Sequence, residues 1–450
     1  MKIALVLHHA GAFRSLEDVV RHWHTAGHNV YVTLGDLPKA ISVDQGLNAC
    51  RAELNRIHVD RMRYRKDRWN IVNIRELINY ANYLRPEHPT PKQALRWKSN
   101  IVRPIRKVIK RKWASNFLSK GLVRNALHKI ESLIPCEPTI TDWLETVRPD
   151  VVVASPFIFP LSQELEYIKA ARNIGIPTAV IVLSWDNLTT KGTFHVIPNL
   201  TLVWNSVLAD EAVLLHDVPR NTITVTGSPT FDFWFSMSPS TNYTDFANHV
   251  GFDSSKTFVL YLCSSHFIAE KEHLFVTEFV RAMKQNARTK NVSIVIRPHP
   301  LNDSIWKGFN IENTVIWPKV GQWVDIPEAK QLYYDTIYHS QAVVGVNTSA
   351  FLEAAILDKP CITVLSEQSK AKQTELGHFQ HLINGEFLEI TTSYQEAASI
   401  LGSILTGGDV KQAQREKFVE DFIRPCGLNT PASQIMATAI ESIGVRTDTD

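Results

Sequence analysis

Residues 342–360 read AVVGVNTSAFLEAAILDKP, and several kinds of structure follow one another within that stretch. Ala342–Val346 is a short β-branched run of the kind that a strand buried on both faces requires. Asn347, Thr348 and Ser349 then stop the strand. From Ser349 to Ile356 apolar residues recur at helical spacing, and Lys359–Pro360 leads into a second apolar run, Cys361–Val364. Strand, polar turn, helix and strand make a βαβ unit, whose strands run parallel. Parallel sheets bind ligands outside the C-terminal ends of their strands, which puts the Asn-Thr-Ser turn at a binding edge.

The same rhythm extends outward in both directions. In the second half, strands are expected at Thr257–Leu262, Val292–Ile296 and Thr314–Trp317, with helices at about Lys271–Gln285, Leu332–His339, Gln395–Leu405 and Val410–Phe422. In the first half, strands are expected at Lys2–Leu7, Val30–Leu34, Asp150–Ala154, Thr178–Ser184, Leu200–Trp204 and Ile223–Val225, and helices at Ser15–Ala26, Gln163–Asn173 and Ser206–His216. GSPTFDFWFSMSPSTNYTDF, residues 227–246, breaks the pattern as a linker does. With 450 residues the chain is too long for one core and suits two domains of roughly 200 residues. The expected boundaries are 1–230, 250–425, and a C-terminal helix and tail over 426–450.

Hydrophobic content of 44% with 21% charged residues is that of a globular protein, and no apolar stretch reaches the roughly 18 residues of a membrane span. MKIALVLHHAG is interrupted by two histidines and reads as a first strand rather than a signal segment. Cys50, Cys136, Cys263, Cys361 and Cys426 are odd in number and scattered, which suggests neither disulfides nor zinc and fits a reducing cytoplasm.

Three strand ends in the second half carry polar groups: LCSSH supplies Ser264, Ser265 and His266, RPHP supplies Arg297 and His299, and the Asn347–Ser349 turn is followed by Glu353. Thr348 or Ser349 capping a helix would present free N–H groups and a positive dipole end to a phosphate. Glu353, one turn on, would accept from ribose hydroxyls. The same residues also read as an ordinary helix start. Prolines on both sides of His299 stop the strand and present the imidazole, and Arg297 is the neighbouring fixed charge.

The order strand, RPHP, strand, then N-T-S-x-x-x-E-A-x-x-x-x-K-P resembles the nucleotide-binding domain of GT-B fold glycosyltransferases. The His-Pro pair followed by a Ser/Thr pair is similar to members that use CMP- or CDP-linked donors: sialyltransferases, Kdo transferases and teichoic-acid polyol-phosphate transferases. The first strand, His-containing loop, helix and AGHNVYV are similar to the acceptor domain of that fold. The resemblance implies an α/β architecture of two Rossmann-like domains with parallel sheets facing across a cleft, and a nucleotide held by His299, Ser349 and Glu353. The acidic pair followed by Gly that sialyltransferases carry ahead of the His-Pro pair is absent.

Candidates for chemistry lie in the first half. SWDNLTTKG places Trp185, Asp186, Asn187 and Lys191 on a loop after a strand; Asp186 suits a general base and Lys191 an anion contact, or the pair forms an Asx-turn with a solvated lysine. Asp232, in GSPTFD, suits a nucleophile for a retaining double displacement or a helix cap, and the segment resembles a retaining β-Kdo transferase class of O-antigen assembly. His9, after the first strand, is a further candidate base beside His8. The D-x-D of Asp448 and Asp450 falls in the terminal tail, so no metal is implied, nor any cofactor beyond the nucleotide-sugar substrate.

Residues 40–149 carry little strand signal and a basic excess, about 21 Lys/Arg against 5 Asp/Glu between Arg51 and Lys129. Ile101, Ile105, Val108, Ile109, Trp113 and Phe117 line one helical face amid cations. A solvated face, an anionic bilayer or lipid-linked acceptor, and nucleic acid are the three readings, the last without any recognised module. The resemblance and the basic insert together imply a cytoplasmic glycosyltransferase, either free or peripheral on the inner face of the cytoplasmic membrane, with CMP-Kdo as the favoured donor and a glycan or lipid-linked glycan of a bacterial surface polysaccharide as the acceptor. A CDP-glycerol-type polyol-phosphate transferase and a non-hydrolysing NDP-sugar 2-epimerase are the alternatives.

Overall fold

The computed structural model describes residues 1–35, 45–90, 94–159, 162–324, 326–365 and 373–445; Asp448 and Asp450 lie outside them. The chain divides into two compact units, Met1–Asp232 with Arg424–Asp450, and Phe233–Ile423.

In the first unit the strands are β1 (Lys2–Leu7), β2 (Asn29–Leu34), β3 (Ile57–Arg61), β4 (Val151–Ser155), β5 (Thr178–Ile181), β6 (Leu200–Val203) and β7 (Ile223–Val225). They form one parallel sheet in the order β3-β2-β1-β4-β5-β6-β7. Ile3, Leu5, Leu7, Val151 and Val153 are fully buried in its core, as strands covered by helices on both faces must be.

The second unit repeats the plan with β8 (Phe258–Leu262), β9 (Ser293–Arg297), β10 (Thr314–Ile316), β11 (Val343–Gly345), β12 (Cys361–Val364) and β13 (Leu388–Thr391), ordered β10-β9-β8-β11-β12-β13 and all parallel. Val276, Phe279, Val280 and Met283 of the helix Glu272–Gln285 pack onto it.

Two expectations about the insert change. Its first part belongs to the sheet: β3 pairs with β2 from Ile57 to Arg61, so the inserted helices start beyond Arg61 rather than at residue 40. They then run from Arg68–Tyr83 to Pro138–Val147, and the middle ones pack on the first around Trp97, Tyr83 and Ile78. Part of their charge is spent internally. Arg75 lies 2.9 Å from Glu131 and 2.5 Å from Glu166, Arg65 lies 3.2 Å from Glu166, and Lys169 lies 3.3 Å from Glu131, all with little exposure. The network fastens the insert to the helix Glu164–Asn173.

The C-terminal helix Ala432–Gly444 packs Met436, Ala437 and Ile440 into the first unit's core. Pro431 precedes it and has no side chain that could cap the helix. Asp232 does so instead, which corrects its reading as a nucleophile in favour of the helix cap. One carboxylate oxygen accepts from the N–H of Ala432 (3.0 Å) and from Arg424 Nη2 (2.8 Å), and the other accepts from the N–H of Ser433 (2.8 Å). The carboxylate is buried at the positive end of the helix dipole, with both oxygens in use. Replacing Asp232 with Ala removes the buried ion pair with Arg424 and both helix-capping hydrogen bonds, so stability should fall by about 3–5 kcal/mol, read as a lower urea midpoint for the first unit; a change within about 0.5 kcal/mol, as for ordinary surface substitutions, would contradict this role.

Candidate functional site

In both sheets the winding reverses between two central strands. The chain leaves β1 toward β2 and β4 toward β5, and it leaves β8 toward β9 and β11 toward β12. The loops after such a pair diverge and leave a crevice at the strand ends. Each unit carries polar groups there.

In the second unit, Ser264 Oγ donates to the Asn347 carbonyl (3.2 Å), joining the ends of β8 and β11, and Asn302 donates to the carbonyls of Ser264 (3.4 Å) and Ala269 (2.9 Å). Ser264 and Asn347 are buried and hold the loops together. Gly345 lets β11 approach closely: a Cβ there would lie 2.9 Å from the Leu262 carbonyl. Ser265 and Thr348 are half-buried and Ser349 is exposed, so their hydroxyls remain available at the edge. Ser349 makes no side-chain cap; Thr348 Oγ1 accepts from the N–H of Ala350 (3.3 Å) in its place.

Arg297 closes β9. Its guanidinium is buried against the face of Tyr333, 4.3 Å from the ring centroid, and neither terminal nitrogen has a hydrogen-bond partner among the described residues. Tyr333 donates its hydroxyl proton to Glu353 Oε2 at 2.5 Å. Burial pushes the Glu353 carboxyl up to about 7, against the lowering effects of that bond and of Arg297. Tyr333 sits on the helix Pro327–Tyr338, outside every motif of the sequence reading, beside Tyr334 and on the same helix as Tyr338.

His299 accepts the N–H of Leu301 at Nδ1 (3.0 Å), and His266 Nδ1 meets the Leu301 carbonyl (3.0 Å). Burial, then the neighbouring His266, lowers His299 to about 4, so it is neutral at physiological pH. The loop after Pro318 lies on the RPHP turn. A Cβ on Gly321 would fall 2.5 Å from Pro300 Cα, which only glycine avoids.

In the first unit, His8 rather than His9 is the prepared histidine. His8 Nδ1 lies 2.9 Å from Glu164 Oε1, and Ser162 Oγ donates to the other oxygen of the fully buried Glu164. The His8 side chain keeps 31% exposure. Burial disfavours its charge, but the Glu164 hydrogen bond and charge prevail, and its pKa is raised above 6.5. His9 is lowered to about 4 by burial and then by His8 and Arg14. Glu164 was not among the expected residues. It heads the helix after β4, and its meeting with His8 depends on β1 and β4 being neighbours.

The 185–191 loop divides. Trp185 and Asn187 are buried, and Asn187 accepts from the Ser184 N–H (3.2 Å) within the loop. Asp186 accepts from Thr190 (3.0 Å) and Asn187 (3.1 Å) and lies 3.3 Å from Lys191 Nζ, the two charged side chains keeping about a fifth of their exposure. Tyr83 and Thr90 of the insert hold this loop through the carbonyls of Lys191 (2.5 Å) and Thr189 (2.6 Å). Lys191 Nζ lies 5.3 Å from the Phe159 ring centroid, and His8 packs on the same ring. Phe159 and Ser162 also line a small, mostly apolar cavity of about 40 Å³ beside the helix Arg68–Tyr83. Among the described residues no three His, Cys, Asp or Glu side chains group as metal ligands, and no helix is long and apolar enough to cross a membrane.

No protein-family model matches the chain, and no curated protein matches it significantly. Solved structures do. A putative UDP-N-acetylglucosamine 2-epimerase from Listeria monocytogenes aligns with a TM-score of 0.56 and 10% identity over 100% of this chain and 98% of its own. UDP-GlcNAc 2-epimerase from Neisseria meningitidis, solved with UDP-GlcNAc bound, gives 0.55 and 13% over 98% and 100%. A glycosyltransferase from Rickettsia africae gives 0.55 and 10% over 99% of each. At these identities the likeness is one of fold, two Rossmann-like units of the GT-B class.

Two titrations follow from this geometry. The raised His8 pKa contributes stability that is complete below the unfolded value of about 6.5 and is lost as pH rises through the native value. Glu164→Gln should bring the His8 titration, followed by imidazole NMR, below 6.5; an unchanged midpoint would remove Glu164 as the cause. For Glu353 the sign is opposite to that of a salt-bridged acid. Its raised pKa makes the folded state lose stability as pH rises from about 4.5 to about 7. Glu353→Gln should flatten urea midpoints across that window, whereas a wild-type slope in the variant would assign the dependence elsewhere.

Proposed function

We propose that this chain is a nucleotide-sugar-dependent glycosyltransferase whose second unit binds the donor nucleotide. The observation that carries this reading is the Arg297 guanidinium, buried at a strand end with neither terminal nitrogen hydrogen-bonded among the described residues. A buried charge is costly unless paired, and a phosphate supplies the pair. At the ends of the neighbouring strands, the hydroxyls of Ser265, Thr348 and Ser349 suit phosphate oxygens, and the neutral His299 imidazole and the Glu353 carboxyl suit the nucleoside. The structural neighbours support a nucleotide-sugar ligand, one of them having been solved with UDP-GlcNAc.

The first unit supplies the acceptor side. His8, with its Nδ1 proton held by Glu164, would take the acceptor hydroxyl's proton at Nε2 as that oxygen attacks the anomeric carbon and the nucleotide leaves. The imidazolium so formed is stabilised by the buried carboxylate. Asp186 and Lys191 would orient the acceptor. A cytidine-linked donor such as CMP-Kdo is favoured by the His-Pro and Asn-Thr-Ser motifs. The acceptor would be a growing glycan of O-antigen or capsule type, built at the inner face of the cytoplasmic membrane.

A second reading comes from the epimerase neighbours, which align over nearly their whole length. A 2-epimerase would convert a nucleotide sugar with no acceptor present, so epimer formation from nucleotide sugars alone would favour it over transfer.

The donor site is tested with CMP, CDP, UDP and GDP in a thermal-shift panel, since a ligand that binds only the folded state raises the melting temperature. CMP or CDP should stabilise the protein, and Arg297→Met should weaken that binding by about tenfold or more, the loss of a charge-assisted hydrogen bond. Stabilisation by UDP or GDP alone would reassign the base, and no stabilisation by any of the four would remove the nucleotide reading.

A further inference from the structure

The insert's middle helices bury one face and leave the other bare. Of the six apolar residues expected to share a stripe, Ile101 and Ile109 turn inward onto the insert's core, while Ile105, Val108, Trp113 and Phe117 face solvent. The stripe divides because the segment is two short helices, Arg103–Ile109 and Lys112–Leu118, and not one. Trp113 is 60% exposed, Phe117 53% and Leu122, at the start of the helix Gly121–Ser132, 85%. Scattered exposed apolar residues are ordinary, but Ile105, Val108, Trp113, Phe117 and Leu122, all exposed within 20 residues of chain, concentrate apolar surface as interaction sites do.

The charge around the patch says what. From His88 to Ile130 the sequence has 12 Lys/Arg and no Asp or Glu. The adjoining Arg65 and Arg75 are paired with buried carboxylates, yet no Lys or Arg from Arg96 to Lys129 forms an ion pair with a described residue. Arg103, Lys107, Lys110, Arg111, Lys112 and Lys120 are all exposed.

A second copy of the chain would cover the apolar side chains but would set cation against cation. A nucleic acid would meet the cations but leave the aliphatic groups in water. A bilayer with anionic headgroups accepts both: the apolar side chains enter the acyl boundary, the ammonium and guanidinium groups meet phosphates, and the Trp113 indole suits the interface between them. We propose that the surface made by Arg103–Ile109, Lys112–Leu118 and Leu122 docks the protein onto a membrane rich in anionic phospholipid. The inference is independent of the nucleotide site, since the patch contains none of its residues.

The test is flotation of the full chain with phosphatidylcholine vesicles, with and without 30 mol% (about a third) phosphatidylglycerol. The wild type should float with the anionic vesicles only, and less as salt is raised. Both Trp113→Ser/Phe117→Ser and Lys107→Glu/Lys110→Glu/Lys112→Glu should cut the vesicle partition coefficient by about tenfold or more. These positions are exposed, and circular dichroism and the nucleotide-induced thermal shift serve as controls for folding. Equal flotation with both vesicle types, no flotation, or variants that float like the wild type would each overturn the proposal. So would a lipid-free dimer that the Trp113/Phe117 variant dissolves, or retention of single-stranded RNA in place of vesicles.

Discussion

Parallel pairing constrains everything else in this protein. A parallel strand cannot return through a tight turn, so each connection crosses a face of the sheet and every C-terminal end opens on the same edge. Where the winding reverses, at β1/β4 and again at β8/β11, the loops part and the edge is left open. Residues that are remote in sequence are delivered to those two openings by the sheet alone. His8 and Glu164 meet across 156 residues because β1 and β4 are neighbours, and Ser264 meets Asn347 across 83 because β8 and β11 are.

The two openings are prepared in opposite electrostatic senses. In the first unit a buried carboxylate with a serine behind it keeps a half-exposed histidine inclined to hold a proton. In the second a buried guanidinium has for neighbours an aromatic face and a carboxyl whose pKa burial raises to about 7, and its terminal nitrogens make no hydrogen bond among the described residues. One arrangement suits moving a proton, the other holding an anion. Groups positioned before a ligand arrives need little reorganisation when it does.

Much of this was legible in the sequence where burial made it so. The central strands are covered on both faces, and their uniform apolar runs announced them. β3 (IHVDR) and β13 (LEIT) did not, because both are edge strands with exposed positions, and a half-exposed strand carries polar residues. Arg297, His299 and Glu353 were legible as strand-end and helix-start residues, whereas Tyr333, which links two of them, is one aromatic among several on its helix. Glu164 required knowing which strands are neighbours. Asp232 was ambiguous for a stronger reason: the helix it caps begins 200 residues later, after a proline that offers no cap of its own.

That distant cap has a consequence for how the protein is assembled. The chain leaves the first unit at Asp232 and rejoins it at Arg424, and those two residues are in contact through a 2.8 Å ion pair. The whole of Phe233–Ile423 is thus a single uninterrupted module inserted at one anchored point of its host. Modules with adjoining termini are the ones that tolerate exchange between scaffolds and relocation of chain ends. A module of this kind can be exchanged at two junctions that lie side by side in the folded chain, leaving the host's own terminal helix to seal the fold.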